Sequence, residues 1–167
     1  IGLGMFGVGV VLLLARLFDM ILDPLIGYSS DRYFPKKILM FFGLVFLLIG
    51  FYFLTHPARD AGYIWLFCFS LSVYFGWSLL SIPYYAIGAG LSEDYNENTK
   101  YASFRELFNI CGVLLALLVP FLFNISQSSA QSLLMMNNII FITLPLTAIF
   151  FFLKVNAKQV DKHMESY

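Results

Sequence analysis

Unbroken apolar runs of membrane-crossing length recur along this chain, and they constrain its fold more than any other feature. Crossing about 30 Å of hydrocarbon at 1.5 Å rise per residue takes roughly 20 apolar residues in helical form. Five segments meet or approach that length: Ile1–Tyr28, Ile38–Leu54, Tyr63–Gly90, Phe104–Phe123 and Asn137–Leu153. In lipid every backbone N–H and C=O needs a partner inside the segment or inside a closed barrel, so spans of this kind are helices. The expectation is an all-α membrane protein in a lipid bilayer, with a transmembrane bundle over residues 1–153 and a charged tail over 154–167.

Composition excludes other classes. The 167 residues are 60% hydrophobic and 12% charged, with a mean hydropathy of +0.81, which is about half the charge of an average soluble domain. Net charge is zero and no basic run stands out, so nothing supports nucleic-acid binding. Cys68 and Cys111 lie in apolar segments without a CxxC pairing and read as small buried hydrophobes. His56 and His163 have no nucleophile or metal partner at useful spacing, so no catalytic or metal site is predicted and the chain is not read as an enzyme. Ile1 is already inside an apolar run with no basic leader before it, which predicts that the sequence is truncated there. Asn124-Ile125-Ser126 fits a glycosylation acceptor, a match of only three residues.

Short polar connections separate the five segments: Ser29–Lys37, Thr55–Gly62, Leu91–Ser103 and Asn124–Met136. Arg32, Lys36, Lys37, Lys100, Arg105, Lys154, Lys158 and Lys162 fall on or beside one alternate set, whereas Arg59 is the basic residue of the other. The positive-inside rule then places the basic set and the tail in the cytoplasm, with the chain crossing the cell membrane several times. Gly2, Gly4, Gly7 and Gly9 crowd the outer end of the first segment, where small residues allow close helix packing.

Arg16, Asp19 and Asp23 interrupt the first segment. A charge at mid-membrane costs about 2.5–3.5 kcal/mol on insertion scales, so such groups face a bundle interior or a wet cavity and have partners. At about 100° per residue, Arg16, Asp19, Asp23 and Gly27 occupy an arc of roughly 80°. Two carboxylates one turn apart, about 6 Å along the axis, either raise each other's proton affinity or supply hard oxygens to a small cation. The local alternative is that Arg16 neutralises Asp19 at i,i+3 while Asp23 caps a helix broken at Pro24. In the third segment Tyr74, Ser78, Ser81 and Tyr85 share an arc of about 60°, with Trp77 beside them. Hydroxyls there can complete a cation shell and rings can stack on a sugar. Helix-to-helix hydrogen bonding accounts for Ser78 and Ser81 nearly as well. Pro83 removes a backbone hydrogen bond in the same segment. Arg105, Asn109 and Gly112 share a face of the fourth segment, although Arg105 could also snorkel to the membrane surface.

Two blocks of sequence carry a family resemblance. Ala15–Arg32, ARLFDMILDPLIGYSSDR, and Ile82–Arg105, IPYYAIGAGLSEDYNENTKYASFR, resemble the glycoside-pentoside-hexuronide cation symporters of the major facilitator superfamily, a group that includes the melibiose carrier. The resemblance implies that the five segments are helices two to six of twelve, a partial amino-terminal six-helix bundle whose carboxy-terminal bundle is missing. It implies a sugar or glycoside as solute, H+ or Na+ as coupling ion and no other cofactor. Asp19 and Asp23 match the family's cation-site carboxylates and Ser78 a hydroxyl ligand position. Trp77, Tyr85 and Arg105 match cavity-lining positions, with Tyr74 and Asn109 on the same faces. Gly27, Asp31 and Arg32, in the pattern that begins at Arg16, resemble a cytoplasmic gating motif. Ser81 and Leu22 depart from the pattern, replacing a third carboxylate and an amide ligand, and Asn98 replaces an Arg of the acidic loop. Two lost ligands leave a thin shell for sodium, so proton coupling is expected. An amphipathic lipid carrier of the same superfamily and a non-transporting membrane partner or sensor are the alternatives.

Overall fold

The computed structural model describes residues 4–89, 95–122 and 129–154. Five helices account for nearly all of them: α1 Met5–Arg32, α2 Lys36–Thr55, α3 Tyr63–Ala89, α4 Tyr95–Leu122 and α5 Ser129–Lys154. All five are long and apolar enough to cross a membrane, and no strand occurs among the described residues. This is the all-α membrane architecture expected from the hydropathy. The Asn124–Ser126 acceptor, Gly2, the acidic pair Glu93 and Asp94, and the tail from residue 155, with Lys158, Lys162 and His163, lie outside the described residues.

Local chemistry explains where the helices begin and end. Pro35 sits at the N-cap of α2 and its carbonyl accepts from the Ile38 amide at 2.9 Å. Pro57 follows His56, and the residue before a proline is pushed out of the helical region, so α2 ends at Thr55. The α1 helix continues through Pro24 to Arg32, so Asp23 does not cap a break. The largest difference from expectation is α4. The polar stretch before Ser103 is helical from Tyr95, and within it Thr99 donates its hydroxyl to the Tyr95 carbonyl and Ser103 to that of Thr99, both at 2.8 Å. Hydroxyls that bond back one turn sit inside a helix without opening it. Polarity there marks the exit from the membrane rather than the end of the helix.

Packing is inverted relative to a soluble protein. The α3 helix lies along α2 on one side and α1 on the other, and four of the residues it buries, Ser70, Gly76, Ser78 and Ser81, are small or polar, beside Leu79, Pro83 and Ile87. Leu13, Phe18, Met20, Ile21, Leu25, Phe41 and Phe42 are exposed, as are Cys68 and Cys111, which were expected to be buried. Lipid is as apolar as leucine, so large side chains gain little by turning inward, whereas small ones let backbones approach. The α2/α3 seam shows this at its limit. A Cβ on Gly76 would lie 2.6 Å from the Leu47 amide nitrogen and 2.8 Å from the Gly43 carbonyl oxygen. Further along the same seam, Trp65 donates its indole N–H to the Phe53 carbonyl at 3.3 Å, and Phe53 stacks on Phe69 at 4.5 Å.

The remaining elements attach more lightly. The Tyr63 hydroxyl accepts from the Gly4 amide at 3.2 Å, and its ring fills the notch left by Gly7, which ties the start of α1 to the start of α3. The α5 helix meets α2 where Lys37 donates its ammonium to the Phe152 carbonyl at 3.3 Å and where Tyr52 packs on Phe141. A lysine on the last carbonyls of a helix satisfies an orphan acceptor and complements the dipole. The α4 helix touches α3 near Asn98, whose amide donates to the Ala89 carbonyl at 3.4 Å.

Candidate functional site

Ala15, Asp19, Ile26 and Ser30 form the buried face of α1. Spaced at i, i+4, i+11 and i+15, they lie on one side of the helix, and Ala15, fully buried, lets that side come close to α3. Asp19 is 2% exposed and is thereby pressed between two helices in the middle of a membrane span.

Its oxygens are both engaged. The Ser78 hydroxyl donates to Asp19 Oδ1 at 3.1 Å, and Arg16 Nη1 donates to Oδ2 at 2.7 Å. Arg16 itself is 66% exposed at the side chain and lies over the Tyr74 ring, 5.5 Å from its centroid. Asp23, one turn further along α1, is half-buried, and its Oδ1 is buried with no hydrogen-bond partner. Ser81 is buried three residues beyond Ser78 on α3.

Arg16, Asp19, Ser78 and Tyr74 thus form one contact cluster, with Asp23 and Ser81 next to it in sequence. The Arg16 pairing foreseen in the local alternative is present, the helix break is not. Arg16 also joins the carboxylates rather than the motif at the helix end, since 16 residues separate it from Arg32, about 24 Å of helix. One cation against two carboxylates leaves a single uncompensated negative charge.

A second group lies between α3 and α4. Arg105 stacks over Tyr85 at 4.5 Å and also pairs with Glu106 at 3.0 Å, a partner the sequence pattern had not singled out. Tyr84, Tyr85, Gly88, Arg105 and Phe108 line an open cleft of about 610 Å³. Asn109 is exposed and is not among its lining residues. Trp77, 54% exposed, is on another flank of α3 and looks with Leu80 and Tyr84 into a groove against α5, so it does not join Tyr85. Gly27 is half-buried with open space where a Cβ would stand. Asp31 and Arg32 are exposed at the end of α1, where Arg32 donates to the Tyr28 hydroxyl at 3.1 Å.

Removing one partner of a buried carboxylate leaves part of its desolvation uncompensated, about 1–3 kcal/mol. Ser78→Ala is therefore expected to lower the thermal stability of the purified protein measurably, and Ser78→Thr, which keeps the hydroxyl, to restore most of it. An alanine variant as stable as the parent would mean that the hydroxyl does not support Asp19.

Comparison with known proteins sets this geometry in context. The sequence profile of the MFS/sugar transport protein family matches residues 1–166. A relative from Synechocystis sp., described as an uncharacterized symporter, is 28% identical, with 66% of this chain and 23% of that protein covered. The chain therefore spans less than a quarter of that relative's length. No solved structure matches.

Proposed function

The chain belongs to the MFS/sugar transport protein family, and from that premise we propose that it forms part of a secondary transporter that moves a sugar or glycoside together with a cation by alternating access. Within the superfamily we assign it to the glycoside-pentoside-hexuronide cation symporters, on the two sequence blocks around Asp19–Asp23 and Pro83–Arg105. The observation that carries the reading is the pair of intramembrane carboxylates: one is bonded to Arg16 and Ser78, the other holds a buried oxygen with no partner.

The proposed mechanism follows from charge. With Asp23 ionised, the α1/α3 cluster bears an excess negative charge that is stable only while water or a cation reaches it. Loading that charge allows the site to be sealed, and sealing on one side is the condition for opening on the other. The solute binds in the Tyr85–Arg105 cleft, where a ring and a cation offer stacking and hydrogen bonds, and a second bundle completes the cavity. The chain lies in the cell membrane with its basic connections and tail on the cytoplasmic side.

The coupling ion is the proton. Sodium requires several oxygens to replace its hydration shell, and each Asp19 oxygen already accepts one hydrogen bond, which leaves fewer lone pairs for an ion. Leu22 and Ser81 add no carboxylate or amide. Uptake by the full-length protein in proteoliposomes is expected to be accompanied by proton entry and to continue when choline replaces sodium. A strict sodium requirement would overturn the choice of ion. Screening sugars, glycosides and lysolipids in the same assay tests the solute class: saturable uptake of a lysolipid and of no sugar would overturn the sugar reading.

A further inference from the structure

The groove between α2, α3 and α5 shares Tyr84 and Phe151 with the Arg105 cleft but has neither Tyr85 nor Arg105 on its walls. Its volume is about 480 Å³, and its walls are Met40 and Leu47 of α2, Trp77, Leu80 and Tyr84 of α3, and α5 from Leu144 to Lys154. That stretch of α5 rises about 15 Å, half of the roughly 30 Å hydrocarbon thickness, so the groove follows one leaflet from mid-membrane to its surface.

Its chemistry is graded along this path. The inner part is aliphatic and aromatic, and the Thr147 hydroxyl is already bonded back to the Thr143 carbonyl at 2.9 Å. The full charge on the lining is Lys154, at the surface end. Lys37 lies at the same end, with its ammonium on the Phe152 carbonyl, and α2 starts there at Lys36. A sugar would find its hydroxyls unpaired along such walls.

We propose that this groove is a binding site for an anionic phospholipid of the basic-side leaflet, with one acyl chain lying between Trp77 and the Leu144–Phe151 face of α5 and the headgroup phosphate on Lys154. The lipid is resident and distinct from the transported solute, and the site does not depend on what that solute is.

Trp77 is a built-in reporter. The full-length protein is reconstituted in phosphatidylcholine nanodiscs containing increasing fractions of chain-brominated phosphatidylglycerol or chain-brominated phosphatidylcholine. The Trp77 contribution is the fluorescence lost in Trp77→Phe. Brominated phosphatidylglycerol is expected to reach half-maximal quenching of Trp77 at about one-fifth the fraction that brominated phosphatidylcholine requires, the preference one surface lysine supplies. Lys154→Gln should abolish the preference and Lys154→Arg retain it. Equal quenching by the two lipids would reduce the groove to ordinary lipid-facing surface, and no quenching of Trp77 by either would mean that protein covers it. Both results overturn the proposal.

Discussion

Asp23→Asn in the full-length transporter is expected to abolish cation-driven accumulation while leaving membrane insertion intact and solute exchange across the membrane measurable. Each coupled charge contributes about 2.3 kcal/mol per 100 mV of membrane potential, equivalent to about a 50-fold accumulation ratio. That ratio is what the variant forfeits. An amide has nearly the volume of the carboxylate but no charge, so it holds the cluster permanently in its neutral condition and insertion becomes easier. The site then no longer requires a cation before it closes, and solute equilibrates instead of concentrating. Asp23 is the sharper choice over Asp19, because Asp19→Asn also deprives Arg16 of its partner at 2.7 Å and adds a structural defect to the functional one. The measurement is uptake against an imposed proton gradient beside counterflow in the same vesicles. Accumulation equal to that of the parent protein would remove Asp23 from the coupling site.

The two carboxylates were legible in the sequence because hydrocarbon makes their burial conspicuous. A charge on a soluble helix has many innocuous explanations, but Asp19 and Asp23 inside an apolar run have few. The five spans were legible for the same reason, since solvent with a fixed thickness imposes a minimum length on every segment that crosses it. What periodicity could not supply was direction. Trp77 and Ser78 are neighbours on α3, yet Ser78 turns to Asp19 while Trp77 looks toward α5. Adjacent positions differ by about 100°, enough to separate one cavity from another, and the bearing of each cavity is set by tertiary packing. Nor could polarity locate the start of α4, where the hydroxyls of Thr99 and Ser103 are absorbed by their own helix. Small residues were legible in one place and overlooked in another. Among the glycines near the start of α1, Gly7 receives the Tyr63 ring while Gly9 meets nothing within 4 Å, and the isolated Gly43, Gly50 and Gly76, which drew no notice, carry the close approach of α2 and α3.

That contact carries the other large effect, because the site depends on it. Gly76→Ala is expected to lower the yield of monodisperse protein and its melting temperature sharply, and Gly76→Leu to prevent assembly. Overpacking against side chains typically costs about 1–3 kcal/mol, because rotamers and backbone can share the adjustment. Here the added carbon would meet backbone, at 2.6 Å from the Leu47 nitrogen and 2.8 Å from the Gly43 oxygen, so relief requires α2 and α3 to separate. Ser78 is two residues away on the same helix, and its 3.1 Å bond to Asp19 fixes how α3 sits against α1. A displaced α3 therefore loses the hydroxyl that supports the carboxylate, and coupling should fail together with stability. Gly112→Ala provides the contrast, since its Cβ would enter open space on α4. Removing a glycine from an unobstructed helix is neutral or favourable by about 0.5–1 kcal/mol. The pair separates a general intolerance of substitution from the specific demand of the seam: if Gly76→Ala melts no earlier than Gly112→Ala, the close approach of α2 and α3 is not what holds the carboxylate in place.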